Sequence, residues 1–177
     1  QVLLDGTVWL LTENDGAIRV VTLPEKNYTT KPEIYSTKSG LFPADHFYQV
    51  YQDSAGNNWL LTDNGLGMIR PGERQPVNYF VETQGKQDGM NQAFYAVREC
   101  EDDICFTSDR GRIWCYQKKS GEFRLHELPT KARITSIHAV GNDNTVVTTD
   151  SDGFFLSNLK TNKHIHYSPV TCKELSD

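Results

Sequence analysis

Apolar residues in this chain come in short runs broken by turns rich in Gly, Asn, Asp and Pro. Four segments follow one plan: Asp5–Val21 (DGTVWLLTENDGAIRVV), Asp53–Arg70 (DSAGNNWLLTDNGLGMIR), Glu101–Tyr116 (EDDICFTSDRGRIWCY) and Asn142–Ser157 (NDNTVVTTDSDGFFLS). Each holds an acidic or Asn turn, an apolar run reaching Thr, a polar turn with Gly, and a second apolar run. The aligned threonines are Thr12, Thr62, Thr107 and Thr149, spaced by 50, 45 and 42 residues. Such a recurrence marks a repeat architecture.

Further runs complete each unit. Aromatic or β-branched alternations ending at Val50, Val97 and Val140 lead into the acidic turns and predict a preceding strand. A fourth run follows at residues 33–36 (EIYS), 77–81 (VNYFV), 123–128 (FRLHEL) and 164–167 (HIHY). No segment shows a helical period. The pattern therefore predicts an all-β chain of antiparallel meanders, four strands in about 45 residues each, which is the signature of β-propeller blades. One blade has two apolar faces and buries them only by stacking on its neighbours. The expected blades are residues 1–40, 41–86, 87–130 and 131–168, with a tail at 169–177.

The recurring residues fit this reading. Gly16, Gly65, Gly111 and Gly153 follow polar residues in short turns that need positive φ. Trp9 and Trp59 stand early in the second strand, where a large ring fills the space between blades. The third unit has Cys105 there and Trp114 in the next strand, a swap of position. The Thr hydroxyl suits bonding to turn backbone.

Only Gln1–Leu3 stands where the first strand of the first blade belongs, and the chain starts without Met, as if cut from something longer. The tail PVTCKEL (169–175) either begins a fifth blade or returns to complete the first. Propellers close with several blades, so an arc or partial propeller is the expectation, with its remaining blades as partners.

Composition removes several function classes. Hydrophobic residues make up 37% of the 177, with 8 Tyr, 8 Phe and 3 Trp, too apolar and aromatic for disorder. The formal charge is −5 and no Lys/Arg run exceeds two, so no basic stripe serves a nucleic acid. No apolar run approaches bilayer length, and no direct membrane contact is expected. Cys100, Cys105, Cys115 and Cys172 match neither a zinc pattern nor a disulfide framework. Free buried thiols in strands are the expectation; Cys105 and Cys115 flank a predicted turn, which leaves one bridge open.

The stretch DSAGNNWLLTDNGLGMIRPG resembles the two-component regulator propeller repeat, with its Asp, Gly, apolar-Trp pair, Thr and Asn-Gly-Leu. The preceding STKSGLFPADHFYQVYQD resembles the segment between blades of that family. The specific motifs cover the first two units; the third and fourth lack the Trp, having Cys105 and Val146. The resemblance implies the periplasmic sensor region of a membrane-bound hybrid two-component histidine kinase. It further implies oligosaccharide recognition, a homodimeric parent and no chemistry of this chain's own. A propeller scaffold for protein partners and a glycan-active propeller enzyme are the alternatives.

Candidate chemistry is sparse. DSAGNNW resembles an imperfect Asp-box, itself a structural turn motif. The acids Asp5, Asp15, Asp53, Asp63, Asp102, Asp103, Asp150 and Asp152 lie in turns and are explained by turn formation. His164 and His166 share a strand face, but no third metal ligand is indicated, and a solvent-facing edge strand is expected. His46 and His138 flank or lie within first strands. No catalytic residue, metal site or cofactor is expected. Propellers usually bind on the face built from loops entering the first strands and joining the second and third. The ligand candidates there are His46, Asn91, Gln92 and Arg110, beside Asp45, Asp63, Asn64 and Asp109. Phe47, Tyr48, Phe94 and Tyr95 adjoin them, most of these expected in the core.

Overall fold

The computed structural model describes residues 1–23, 28–29, 31–80, 92–100, 102–141 and 144–168. Asn91, Cys172 and the tail at 169–177 lie outside the described residues. The chain forms two compact units, Gln1–Phe94 and Tyr95–Asp177. Among the described residues there are sixteen strands and no helix, arranged as four four-stranded antiparallel sheets.

In the first unit, β1 (Thr7–Leu11), β2 (Ala17–Leu23), β3 (Tyr28–Thr29) and β4 (Glu33–Tyr35) form the first sheet, in which both β3 and β4 pair with β2. A lone bridge between Val2 and Val8 marks where an innermost strand begins. The second sheet is the simple meander β5 (Phe47–Gln52), β6 (Asn58–Thr62), β7 (Gly65–Ile69) and β8 (Val77–Tyr79). β6 and β7 are buried at every position. A strand covered on both faces needs an unbroken apolar run rather than alternation, and WLL and GLGMI supply one. Trp9, Ala17 and Tyr35 of the first sheet share a core with Phe47, Val50, Leu60 and Ile69 of the second, with Phe42 of the connecting loop among them. Gly67 makes room for that loop: a Cβ there would stand 2.5 Å from the Phe42 ring.

In the second unit, β9 (Phe94–Glu99, its first residue at the unit boundary), β10 (Asp103–Ser108), β11 (Arg112–Gln117) and β12 (Phe123–Glu127) form the third sheet. The fourth is β13 (Ile134–Val140), β14 (Asn144–Thr149), β15 (Phe154–Asn158) and β16 (Lys163–Tyr167). Their shared core holds Ile113 and Leu128 from one side and Ile134, Ile137, Val147 and Phe155 from the other.

The repeated turn between second and third strands behaves as one device. Thr12, Thr62 and Thr149 donate their hydroxyls to the carbonyls of Gly16, Gly65 and Gly153 at 2.7, 2.9 and 2.9 Å. A Cβ on Gly16 or Gly153 would lie 2.2 or 2.1 Å from the carbonyl oxygen of Tyr35 or Tyr167, and both have positive φ. In the third sheet the aligned Thr107 does not do this. Ser108 takes the role, reaching the Arg112 carbonyl at 3.4 Å, while Thr107 accepts from the Ala96 backbone N–H at 3.1 Å. The alignment is corrected by one residue, which places Cys105, three before Ser108, where Trp9 and Trp59 stand before their threonines.

Two more expectations change. Cys105 and Cys115 are not free thiols: they face each other across β10 and β11 and form a disulfide, with Cα atoms 4.0 Å apart. The bridge occupies the place of the missing indole. Cys100 is free and half-buried. β16 is the edge strand of the fourth sheet, as expected, but its two histidines are half-buried and Ile165 between them is 55% exposed. His166 stacks on Phe155 at 4.4 Å and reaches the Asp152 carbonyl at 2.8 Å.

The turn DSAGNNW closes on its own carboxylate. Asp53 Oδ1 accepts the backbone N–H of Ala55 and Asn57 at 3.0 and 2.8 Å. Its Oδ2 accepts the Asn57 side-chain amide and the Trp59 indole N–H at 2.9 and 2.8 Å. The first sheet has a shorter spacing from Asp5 to Trp9. There Asp5 accepts the Thr7 N–H at 2.9 Å, and the buried Trp9 Nε1 has no partner among the described residues.

Candidate functional site

In the first unit, the loop entering β5 meets the β6–β7 turn. The His46 and Tyr48 rings lie 4.3 Å apart, and the His46 carbonyl accepts the Asp63 N–H at 3.3 Å. Asn64 donates its side-chain amide to the Pro43 carbonyl at 2.7 Å. Asp45 accepts the Thr37 N–H and hydroxyl at 2.9 and 2.5 Å, and its carbonyl takes the Gly16 N–H. Asp45 and Asn64 thus hold the loop in shape. The Gln92 carbonyl accepts the Gly65 N–H at 2.9 Å, while its side-chain oxygen is buried without a partner among the described residues. Phe47 and Phe94 are in the core, as expected; Tyr48 is half-buried beside His46.

The second unit brings the richer set together. Arg110 sits at the tip of the β10–β11 turn with φ of 58°. It lines an open groove of about 530 Å³ with Glu127, Thr130, Lys131 and Asp152. The groove lies beside the loop 128–133 that enters β13, and the Gly111 N–H ties the turn to the Ala132 carbonyl at 2.9 Å. Arg112 pairs with Glu127 at 3.2 Å, and His166 stands 3.2 Å from an Asp152 carboxylate oxygen. Nearby, Tyr95 donates to the Asp109 carboxylate at 3.1 Å, and the Arg133 guanidinium lies 5.0 Å from the centre of the Tyr95 ring. Arg133 also reaches Asp150 at 3.4 Å.

This arrangement offers a guanidinium, an ammonium, two carboxylates and a hydroxyl along one open wall. Such groups can donate to and accept from a polyhydroxylated ligand. Of the sequence candidates, Arg110 is in the groove; Asp109, on the same turn, accepts from Tyr95 of β9; His46 and Gln92 belong to the first unit. Sequence reasoning missed Glu127, Thr130 and Lys131, although LPTKA occupies the same place before β13 that FPAD occupies before β5. Among the described residues, no group of three or more His, Cys, Asp or Glu is placed to hold a metal ion. No helix among them is long and apolar enough to cross a membrane.

No protein-family model and no curated protein matches the sequence. Solved structures do. The extracellular domain of BT4673 from B. thetaiotaomicron, assigned as a hybrid two component system, superposes with a TM-score of 0.72 at 19% identity, over 92% of this chain and 21% of that one. The extracellular domain of BT3049 from the same organism, likewise assigned, gives 0.64 at 13% identity, over 95% and 21%. Virginiamycin B lyase from Staphylococcus aureus gives 0.67 at 18%, over 95% and 54%. The chain thus spans about a fifth to a half of these structures. Together with the four meanders and their repeated glycine turns, the likeness establishes the fold: this chain is a set of β-propeller blades.

Proposed function

We propose that the chain is part of the extracytoplasmic sensor of a membrane-bound hybrid two-component histidine kinase, lying in the periplasm. The observation that carries this reading is the fold likeness to extracellular domains of hybrid two component systems, joined to the Asp-Gly-Trp-Thr-Asn-Gly pattern of the second blade. In this reading the groove at Arg110 contributes to recognition of an oligosaccharide, with Glu127, Lys131 and Asp152 bonding sugar hydroxyls. Further blades of the parent cover the outer faces of the end sheets. Apolar side chains there support this: Leu10 and Ile34 are 52% and 47% exposed on the first sheet, and Ile165 is 55% exposed on the fourth. Dimerisation of the parent carries the signal to its kinase.

Calorimetric titration with a panel of plant and host oligosaccharides tests this reading. One oligosaccharide class binds, no product accumulates, and Arg110→Ala weakens binding at least tenfold with the melting temperature unchanged. Turnover of a glycan, or indifference to the whole panel, overturns it.

A further inference from the structure

At the strand ends away from Arg110, a cavity of about 190 Å³ opens between the third and fourth sheets. Its lining includes Arg98, Arg124, Lys160, Asp103, His126 and Thr145. Arg98 is half-buried on β9 and donates one terminal N–H to the buried Thr145 hydroxyl. Its Nε is buried and has no partner among the described residues. Neither Arg98 nor Arg124 has a carboxylate within ion-pair distance among those residues. Glu99, next to Arg98 in sequence, is engaged with Lys118 at 2.6 Å, and Asp102 in the cavity wall with Lys119 at 3.0 Å.

Thr145, Ser157 and His164 stand abreast across β14, β15 and β16, so they share a face of the fourth sheet. Ser157 Oγ and His164 Nδ1 are also buried without partners among the described residues. A guanidinium held in a half-buried wall with an idle N–H is costly unless an anion answers it. Burial and the Arg124 charge hold the His126 imidazole below its usual value, against the pull of Asp103. It therefore serves at neutral pH as a hydrogen-bonding group.

We propose that this cavity binds one small hydroxylated carboxylate, its carboxylate between Arg98 and Arg124 and its hydroxyls on Asp103, His126 and Thr145. The mixed wall selects this chemistry. The half-buried Arg98 guanidinium calls for an anion and the exposed Arg124 adds a second positive charge to the wall, whereas the Asp102 and Asp103 carboxylates in the same wall repel a dense polyanion and accept from hydroxyls. A cavity of about 190 Å³ has room for a single sugar acid or hydroxy acid. The site lies at the opposite end of β10 and β11 from the Arg110 groove, so the two stand or fall separately.

The test is calorimetric titration of the chain with D-glucuronate and D-gluconate, against D-glucose, acetate and sulfate. Glucuronate or gluconate is expected to bind at least tenfold more tightly than glucose and than acetate; which of the two wins tells a ring from an open chain. Arg124→Gln, on an exposed edge-strand position, and Arg98→Lys should each weaken binding at least tenfold, with Arg124→Gln leaving the melting temperature unchanged. Equal binding of glucose removes the carboxylate's role and overturns the proposal. Equal binding of acetate or sulfate shows an adventitious ion only and does the same. So does an Arg124→Gln variant that binds as the parent, or the absence of any binding.

Discussion

Removing the Asp53 carboxylate is the sharpest perturbation the second sheet offers. Asp53 is 5% exposed and receives four hydrogen bonds, one from the indole of the fully buried Trp59. In Asp53→Ala the two turn N–H groups and the Asn57 amide regain water in part. The Trp59 N–H loses the acceptor it holds at 2.8 Å, at a side chain that is fully buried. One stranded buried donor costs about 2 kcal/mol, and loss of the charged acceptor to the turn adds about as much, giving about 4 kcal/mol. Asp53→Asn keeps one acceptor oxygen and should lose about half of that. For a chain of this size about 4 kcal/mol corresponds to a drop of roughly 8–16 °C in melting temperature. Urea unfolding followed by tryptophan fluorescence measures it. Trp59→Phe closes a double-mutant cycle, in which the coupling between the two sites should be about 1.5–2 kcal/mol. A coupling near zero, or an Asp53→Ala variant as stable as the parent, would refute the argument that the carboxylate and the indole form one unit.

Other expectations follow from the same structure. Burial, ahead of the opposing Arg19 hydrogen bond and the Glu33 charge, raises the Tyr35 hydroxyl from 10.0 to about 12. The unfolded chain then loses this proton before the folded one, so stability is full below pH 10 and falls as pH rises towards about 12; Tyr35→Phe should flatten that decline in urea titrations. Replacing both Cys105 and Cys115 by Ala removes a bridge spanning 10 residues and should cost about 3 kcal/mol, seen as a lower melting temperature that reductant no longer changes. Gly67→Ala drives a methyl into the Phe42 ring and should cost about 1–3 kcal/mol; Phe42→Leu in the same chain should return part of it.

The sequence shows the meanders because each strand alternates or runs apolar according to how many faces it buries, and because Gly16, Gly65, Gly111 and Gly153 punctuate them. It does not show register. Thr107 and Ser108 are adjacent hydroxyls, and only the pairing of Ser108 with the Arg112 carbonyl tells which one closes the turn. The disulfide is hidden for the same reason, since two cysteines ten apart meet only if β10 and β11 pair in the observed register. The alternation of HIH puts both histidines on one face but cannot say which face is covered; the ring of Phe155 decides it. Arg110 was legible as a turn-tip residue, whereas Glu127 and Lys131 join it only through the path of the loop into β13. The buried Arg98 Nε, without a partner among the described residues, is invisible in sequence, because only the tertiary packing around β9 decides what it meets.

The sensor reading is tested most directly in the full-length parent, reconstituted in membrane vesicles with the propeller facing the added glycan. The account predicts that the oligosaccharide class bound by this chain changes autophosphorylation of the parent kinase, and that Arg110→Ala shifts the half-maximal concentration upward at least tenfold. Phosphorylation that ignores every bound glycan, or a parent with no kinase to phosphorylate, would contradict it.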